Sequence, residues 1–324
     1  MKMLATTALI LVIVLVSLSA YLRLDHSGIG CAAWPACYGN IGLPDATTPG
    51  VEDAYQRLLE EARQPMSWAT PLHRLVASVL GLMILALCLM SLQQRKDRMV
   101  SFGLLALTVS LAWIGIRSNS LHDPAIVMGN LAGGFAMLGV LGWYVFRKET
   151  PPGEKNGISK LRAASTIAIA IFSAQILLGG LTSANFAASA CQTIPDCHGS
   201  WLPGSSLSTA FDLSREHKVG DTGIVLGGPE RADIHKLHRL VAILTALFVI
   251  IAAVIAIRAH SDLRIVGSIV LSLVILEFAV GVSAILTDIP ISIAVAHNWL
   301  AGLLLLVLLK LNAESRLRQP IEPP

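Results

Sequence analysis

Eight stretches of this 324-residue chain are apolar for as long as a bilayer is thick: 3–22, 71–92, 99–117, 125–146, 162–183, 237–257, 263–286 and 291–311. About 20 mostly apolar residues carry a helix across roughly 30 Å of hydrocarbon. No water satisfies the backbone there, so only helices and closed barrels span a membrane. Runs of this length are too long for barrel strands, which need about 9–11 residues. Composition agrees: 54% of the residues are hydrophobic, 14% are charged, and the mean hydropathy is +0.67. A soluble domain carries about 25% charge. The chain is therefore read as an all-α integral membrane protein with eight transmembrane helices. Its net charge of +3 gives no footing for a nucleic-acid partner.

The first run has the look of a signal peptide, with Lys2 before an apolar core and a small-residue end at Leu18-Ser19-Ala20. That core is longer than the usual stretch of about 7–15 residues. A retained helix is expected instead. Basic residues then set the orientation. With the N-terminus inside, Arg95, Lys96 and Arg98, the group Arg147, Lys148, Lys155, Lys160 and Arg162, then Arg258 and Arg264 fall on the cytoplasmic side. The short loops near 118–124 and 287–290 contain neither Lys nor Arg. Short loops are the ones that obey the positive-inside rule. Both termini are expected in the cytoplasm of a bacterial cell, with loops 23–70 and 184–236 outside the inner membrane.

The chain also repeats itself. Leu72-His73-Arg74-Leu75-Val76-Ala77 recurs as Leu237-His238-Arg239-Leu240-Val241-Ala242. Cys31 and Cys37 recur as Cys191 and Cys197, each pair enclosing a proline and followed by Gly and then Leu-Pro. Two markers at nearly one offset predict two pseudo-symmetric four-helix bundles, 1–146 and 162–324, joined by a cytoplasmic linker at 147–161. With four spans in each half, the repeat is parallel.

Each Cys-x5-Cys pair sits in an outer loop, facing an oxidising compartment. Disulfides Cys31–Cys37 and Cys191–Cys197 are the natural reading. A four-thiolate zinc site is the rival, although its usual spacing is two to four residues. Cys88 lies inside the second run and reads as a packing residue. The absence of Cys-x-x-Cys-His leaves covalent haem attachment without support.

Histidine carries the sharper signal. His73, His238 and His297 fall within or at the ends of spans, where ionisable groups are costly and usually functional. Two of them, His238 and His297, stand on helices that enter from the same side. Two imidazoles facing across a bundle are a familiar axial pair for a b-type haem iron. Arg74 and Arg239 adjoin two of the histidines, placed either to pair haem propionates or to snorkel to the interface. The plain alternative makes each histidine an interfacial residue bonded to a backbone carbonyl. The halves differ: where His297 stands in the second, Asn130 or Gly129 stands in the first. That points to a permanent haem in 162–324, with a substrate site or a lost site in 1–146. Glu277, midway along the seventh run, is either a proton-relay residue or a carboxyl bonded within the bundle.

The sequence resembles the bacterial haem A synthase family of cytochrome oxidase biogenesis. The resemblance rests on Ala20 to Leu24, Gly28 to Cys31 with Trp34 to Gly39, Gly129 to Leu131 with Gly133-Gly134, Gln175 to Asn185 and Cys191 to Pro203. The paired Leu-His-Arg motifs and His297 complete it. It implies eight helices in two bundles, haem b as prosthetic group, and oxidation of the C8 methyl of haem O to a formyl group. It makes His238 and His297 the haem b ligands and places His73, with Asn130, at the haem O site. It implies haem O as substrate, with haem O synthase and oxidase assembly factors as candidate partners, and leaves a homo-oligomer open. One departure stands out: the family usually has a glutamate three residues before the first-half histidine, and this chain has Thr70. Two other readings therefore stay beside the enzyme: a non-catalytic haem-delivery factor, and a b-type membrane cytochrome.

Overall fold

A computed structural model describes residues 1–24, 67–117, 123–147, 159–215, 228–259 and 261–315. Eight helices in them are long and apolar enough to cross a membrane. They are α1 (Lys2–Leu24), α2 (Ala69–Gln94), α3 (Arg98–Arg117), α4 (Pro124–Phe146), α5 (Ser159–Ala184), α6 (Pro229–Ile257), α7 (Ser261–Leu286) and α8 (Ile291–Glu314). The protein is a multi-pass membrane protein. Every apolar run of the sequence has become one of these helices.

Local chemistry sets several of the ends. α2 stops at Arg95, whose φ of 53° is left-handed and turns its N–H back to the carbonyls of Leu92 and Ser91. Asp123 caps α4, its carboxylate accepting from the N–H groups of Ala125 and Ile126, with Pro124 in the first turn. Pro290 precedes α8, directly after a tight turn in which Asp288 and Ile289 both have positive φ. One boundary departs from the hydropathy reading. α6 starts at Pro229 instead of 237, because the polar first turns are satisfied within the protein. Glu230 accepts from Arg215 at 2.9 Å, His235 Nδ1 lies 3.0 Å from the Ala187 carbonyl, and Lys236 reaches Asp233 at 3.4 Å.

Packing follows a ring in each part of the chain. α1 packs on α2 and α4, and α3 closes against α2 and α4. Likewise α5 packs on α6 and α8, and α7 closes against α6 and α8. The rings meet through α4 against α8, α1 against α8, and α4 against α5. Small residues permit that approach: Gly142 faces Leu306, and Gly302 faces Leu138. Close backbone approach at glycine is a common basis of helix association in lipid. Leu138, Leu141, Leu304 and Leu308 are fully buried there. α3 and α7 lie farthest from this seam and bury least, exposing Phe102, Val109 and Trp113, and Ile265, Ile275 and Phe278. Such surface suits lipid, not water.

Several polar groups of the helices are paired across neighbours. Asn312 on α8 donates to Ser165 Oγ at 2.8 Å and to Thr166 Oγ1 at 2.9 Å on α5. At the end of α4, Arg147 reaches Asp97 at 2.5 Å, in the turn between α2 and α3, and Tyr144 donates to the same carboxylate. Partial burial would raise the Asp97 pKa, but the hydrogen bond and charge of Arg147, with the help of Tyr144, hold it below the usual range.

Candidate functional site

The loop between α5 and α6 is tied down at several points. Asn185, buried at the end of α5, donates to the carbonyls of Leu181 and Ala210 and accepts from Arg215 at 2.9 Å. Arg231 donates to the carbonyl of Phe186. Cys191 and Cys197 form a disulfide, and both sulfurs are buried. Cys88 is a buried free thiol in α2. The pair Cys31 and Cys37 lies outside the described residues.

Arg239 has a definite task in this arrangement. Its guanidinium donates to the carbonyls of Thr193 at 2.8 Å and Asp196 at 3.0 Å, and also to that of Cys191. It thereby ties the disulfide loop to α6 one residue beyond His238. A haem propionate, one of the two partners read for it from sequence, would have to compete with those three carbonyls. Hydrogen bonds to a charged group contribute about 1.5–3 kcal/mol each. Arg239→Leu is therefore expected to release the loop. The check is reduction of Cys191–Cys197 by a mild thiol, followed by alkylation, which should proceed at least several-fold faster than in the wild type.

The two histidines of the second ring stand on helices that do not pack side by side. α6 and α8 face each other across the ring formed with α5 and α7. His238 and His297 are nonetheless close enough to feel one another's charge. Each is met at Nδ1 by a polar side chain of a neighbouring helix. Gln175 Nε2 on α5 lies 3.0 Å from His238 Nδ1 and donates to the His238 carbonyl at 3.1 Å. Glu277 Oε1 on α7 lies 3.2 Å from His297 Nδ1, at ion-pair distance but without hydrogen-bond alignment. Nε2 of neither histidine is hydrogen-bonded to a described residue. His238 also sits about two and a half turns inside α6 instead of at its start, because that helix begins early.

The first ring is arranged otherwise. His73 on α2 is buried, and its Nε2 lies 2.8 Å from Ser19 Oγ on α1. Thr70, one turn earlier, is 4% exposed, and its hydroxyl has no partner among the described residues. Asn130 is half-buried on α4. It stands one turn before Gly133 and Gly134, which face Leu111 of α3 and Val16 of α1. Asn130 thus lies on the stripe of α4 turned toward both neighbours in the ring. Arg74 is half-buried beside His73.

Sequence reasoning missed Gln175 and Ser19 as partners of the histidines. A signal was there in Gln175, an amide in an otherwise apolar run. Ser19 carried none, because serine in a membrane helix commonly bonds its own backbone. Glu277, read from sequence as either a proton-relay residue or a bonded carboxyl, stands beside His297.

The second ring fits a haem iron by its donor set. Two imidazoles face across a four-helix ring with both Nε2 atoms uncommitted. Around them Gln175 Oε1, Glu277 Oε2 and His297 Nδ1 are buried without partners among the described residues. Orphaned polar atoms at one place mark a site built for something more than packing. The first ring offers one imidazole whose Nε2 is taken.

Comparison with known proteins shows the family of the chain. The sequence profile of the cytochrome oxidase assembly protein family, COX15-CtaA, matches residues 2–309. A protein of Shewanella oneidensis named heme A synthase is 31% identical over 314 residues, covering 94% of this chain and 93% of its own. A heme A synthase of Paracoccus denitrificans is 25% identical over 344 residues, covering 97% and 86%. One from Neorickettsia sennetsu is 22% identical over 322 residues, covering 92% and 93%. Matched almost from end to end, the chain belongs to the COX15-CtaA family of cytochrome oxidase assembly proteins.

Proposed function

We propose that this protein is a haem A synthase, an oxidoreductase that converts the C8 methyl of haem O to a formyl group for cytochrome oxidase assembly. The observation that carries the proposal is the pair His238 and His297, facing across one ring of a chain similar throughout to heme A synthases. In this reading the two rings are pseudo-symmetric bundles, 1–146 and 162–324, with 147–161 as a cytoplasmic linker. In the second, His238 and His297 are the residues that would hold haem b. Bound there, the haem would supply one-electron transfer. The first bundle takes haem O, with His73 and Asn130 at its reacting end and Arg74 near its propionates.

The chain's own part in the reaction is to bind and orient. The bond between Ser19 and His73 is neutral and worth about 1 kcal/mol net. An incoming iron can displace it, which suits a substrate that must leave again. The apolar walls of the ring exclude water from the reacting methyl. The tied loop of Cys191–Cys197 covers the end of the second bundle, and Arg239 holds it in place.

Thr70 favours one second reading, non-catalytic haem delivery. Its buried hydroxyl does not exchange a proton near neutral pH, as a carboxyl at that place would. Expression in cells that make haem O but no haem A separates the two. The enzyme yields haem A in an acid–acetone extract, and the delivery factor yields haem O alone.

The orientation proposed from the basic residues has its own test. Reporters fused after Arg98 or Lys155 are expected to read cytoplasm, and one near Gly220 the outside. An external signal from both of the first two would invert the topology.

A further inference from the structure

We propose that Gln175 with Gly179, and Glu277 with Gly281, form two matched seats that orient His238 and His297 toward one iron. This rests on the haem reading given above and adds to it the residues that position the ligands. Each seat is a polar side chain followed one turn later by glycine, so both residues share one face of their helix. α5 supplies the first, Gln175-Ile176-Leu177-Leu178-Gly179, and α7 the second, Glu277-Phe278-Ala279-Val280-Gly281. The polar group meets Nδ1 of the histidine, at 3.0 Å in one seat and 3.2 Å in the other. The glycine leaves room for the ring edge. A Cβ at Gly179 would lie 3.2 Å from Cε1 of His238, and one at Gly281 would lie 3.1 Å from Cε1 of His297. In both seats the polar group meets Nδ1 and the glycine lies against Cε1, while Nε2, 3.9 Å and 3.7 Å from those Cβ positions, is hydrogen-bonded to neither seat.

The chemistry of ligation requires this. A neutral imidazole that gives Nε2 to a metal keeps its proton on Nδ1, and an acceptor there fixes the ring and raises its basicity. Glu277 Oε1, 3.2 Å from His297 Nδ1, needs only a small turn to become such an acceptor. Gln175 becomes one for His238 when its amide turns over, which brings Oε1, buried and unpartnered in the present rotamer, to Nδ1. The first bundle lacks the device. The offset of 160 that relates the cysteine pairs sets Leu15 opposite Gln175 and Ser19 opposite Gly179. Ser19 fills the place of the glycine and engages Nε2 of His73, the nitrogen that the seats keep free. Residues 110–112 of α3, which the histidine offsets set opposite Glu277, are Ser, Leu and Ala. The seats thus distinguish a bundle that keeps its haem from one that exchanges it.

The test uses full-length protein purified with its haem, in variants Glu277→Gln, Glu277→Leu, Gln175→Leu and Gly281→Ala. Readouts are haem per chain, the rate of haem loss to apomyoglobin, the midpoint potential and the low-spin ferric resonance spectrum. Glu277→Leu and Gln175→Leu should weaken haem retention by about 10–100-fold. Glu277→Gln keeps the shape and removes the charge, so it should retain haem with a more positive midpoint, since a less basic axial ligand favours ferrous iron less weakly. Gln175→Leu should move the midpoint less. Gly281→Ala should change the ferric spectrum by turning the ring. A wild-type midpoint and spectrum in Glu277→Gln, with wild-type retention in both leucine variants, would overturn the seats while leaving the haem in place. Wild-type protein that carries no haem would overturn the reading beneath them instead.

Discussion

His238→Ala and His297→Ala are each expected to strip the b-type haem from the purified protein, leaving less than about a tenth of the wild-type content. Each substitution would remove one of the two proposed iron ligands and leave a polar void in a packed ring. The remaining imidazole cannot compensate, because its neighbours fix its ring from behind. Glu277 and Gln175 would stay buried with nothing at Nδ1, and an unpaired buried polar group costs about 1–3 kcal/mol. The measurement is a reduced-minus-oxidised spectrum per mole of protein. Retention of a low-spin haem in His297→Ala would show that the iron takes its second ligand elsewhere.

His73→Ala is expected to do the opposite. It belongs to the ring of α1 to α4, whose contact with the second ring runs chiefly through α1, α4, α5 and α8. The b-type spectrum should therefore persist. Conversion of haem O should fall on the order of 100-fold, the usual cost of losing the group that positions a substrate. Ser19→Ala should be far milder, because it removes only the partner that the substrate replaces. The check is the ratio of haem A to haem O in extracts of cells that supply haem O. A normal ratio in His73→Ala would remove this histidine from the substrate site.

How much of this was legible in the sequence depends on the physics behind each feature. Membrane helices are specified by long apolar runs, and hydrocarbon allows the backbone few alternatives, so all eight were readable. The start of α6 was not, because Glu230, Asp233 and His235 read as solvated. They are buried by partners distant in the chain, Arg215 and the Ala187 carbonyl among them. His238 and His297 stood out as ionisable groups at membrane depth. What meets them depends on helix register: whether α5 presents Gln175 or Leu178 to α6 follows from packing over the whole ring. Arg239 shows the same limit. Its place beside His238 suggested a haem propionate or the membrane interface, and the three carbonyls of the Cys191–Cys197 loop that the fold brings to it could not be read from sequence. Thr70 was legible as a departure from a pattern, and the structure adds that its hydroxyl is buried without a partner among the described residues.

The most direct measurement gives purified protein, with its resident haem intact, a supply of haem O, a reductant and oxygen, and follows the porphyrin by chromatography and mass spectrometry. The account predicts that the C8 methyl becomes a formyl group, giving haem A, and that His73→Ala suppresses this while the resident haem is kept. Haem O recovered unchanged from wild-type protein whose b-type haem is fully in place would contradict it and leave haem delivery as the function.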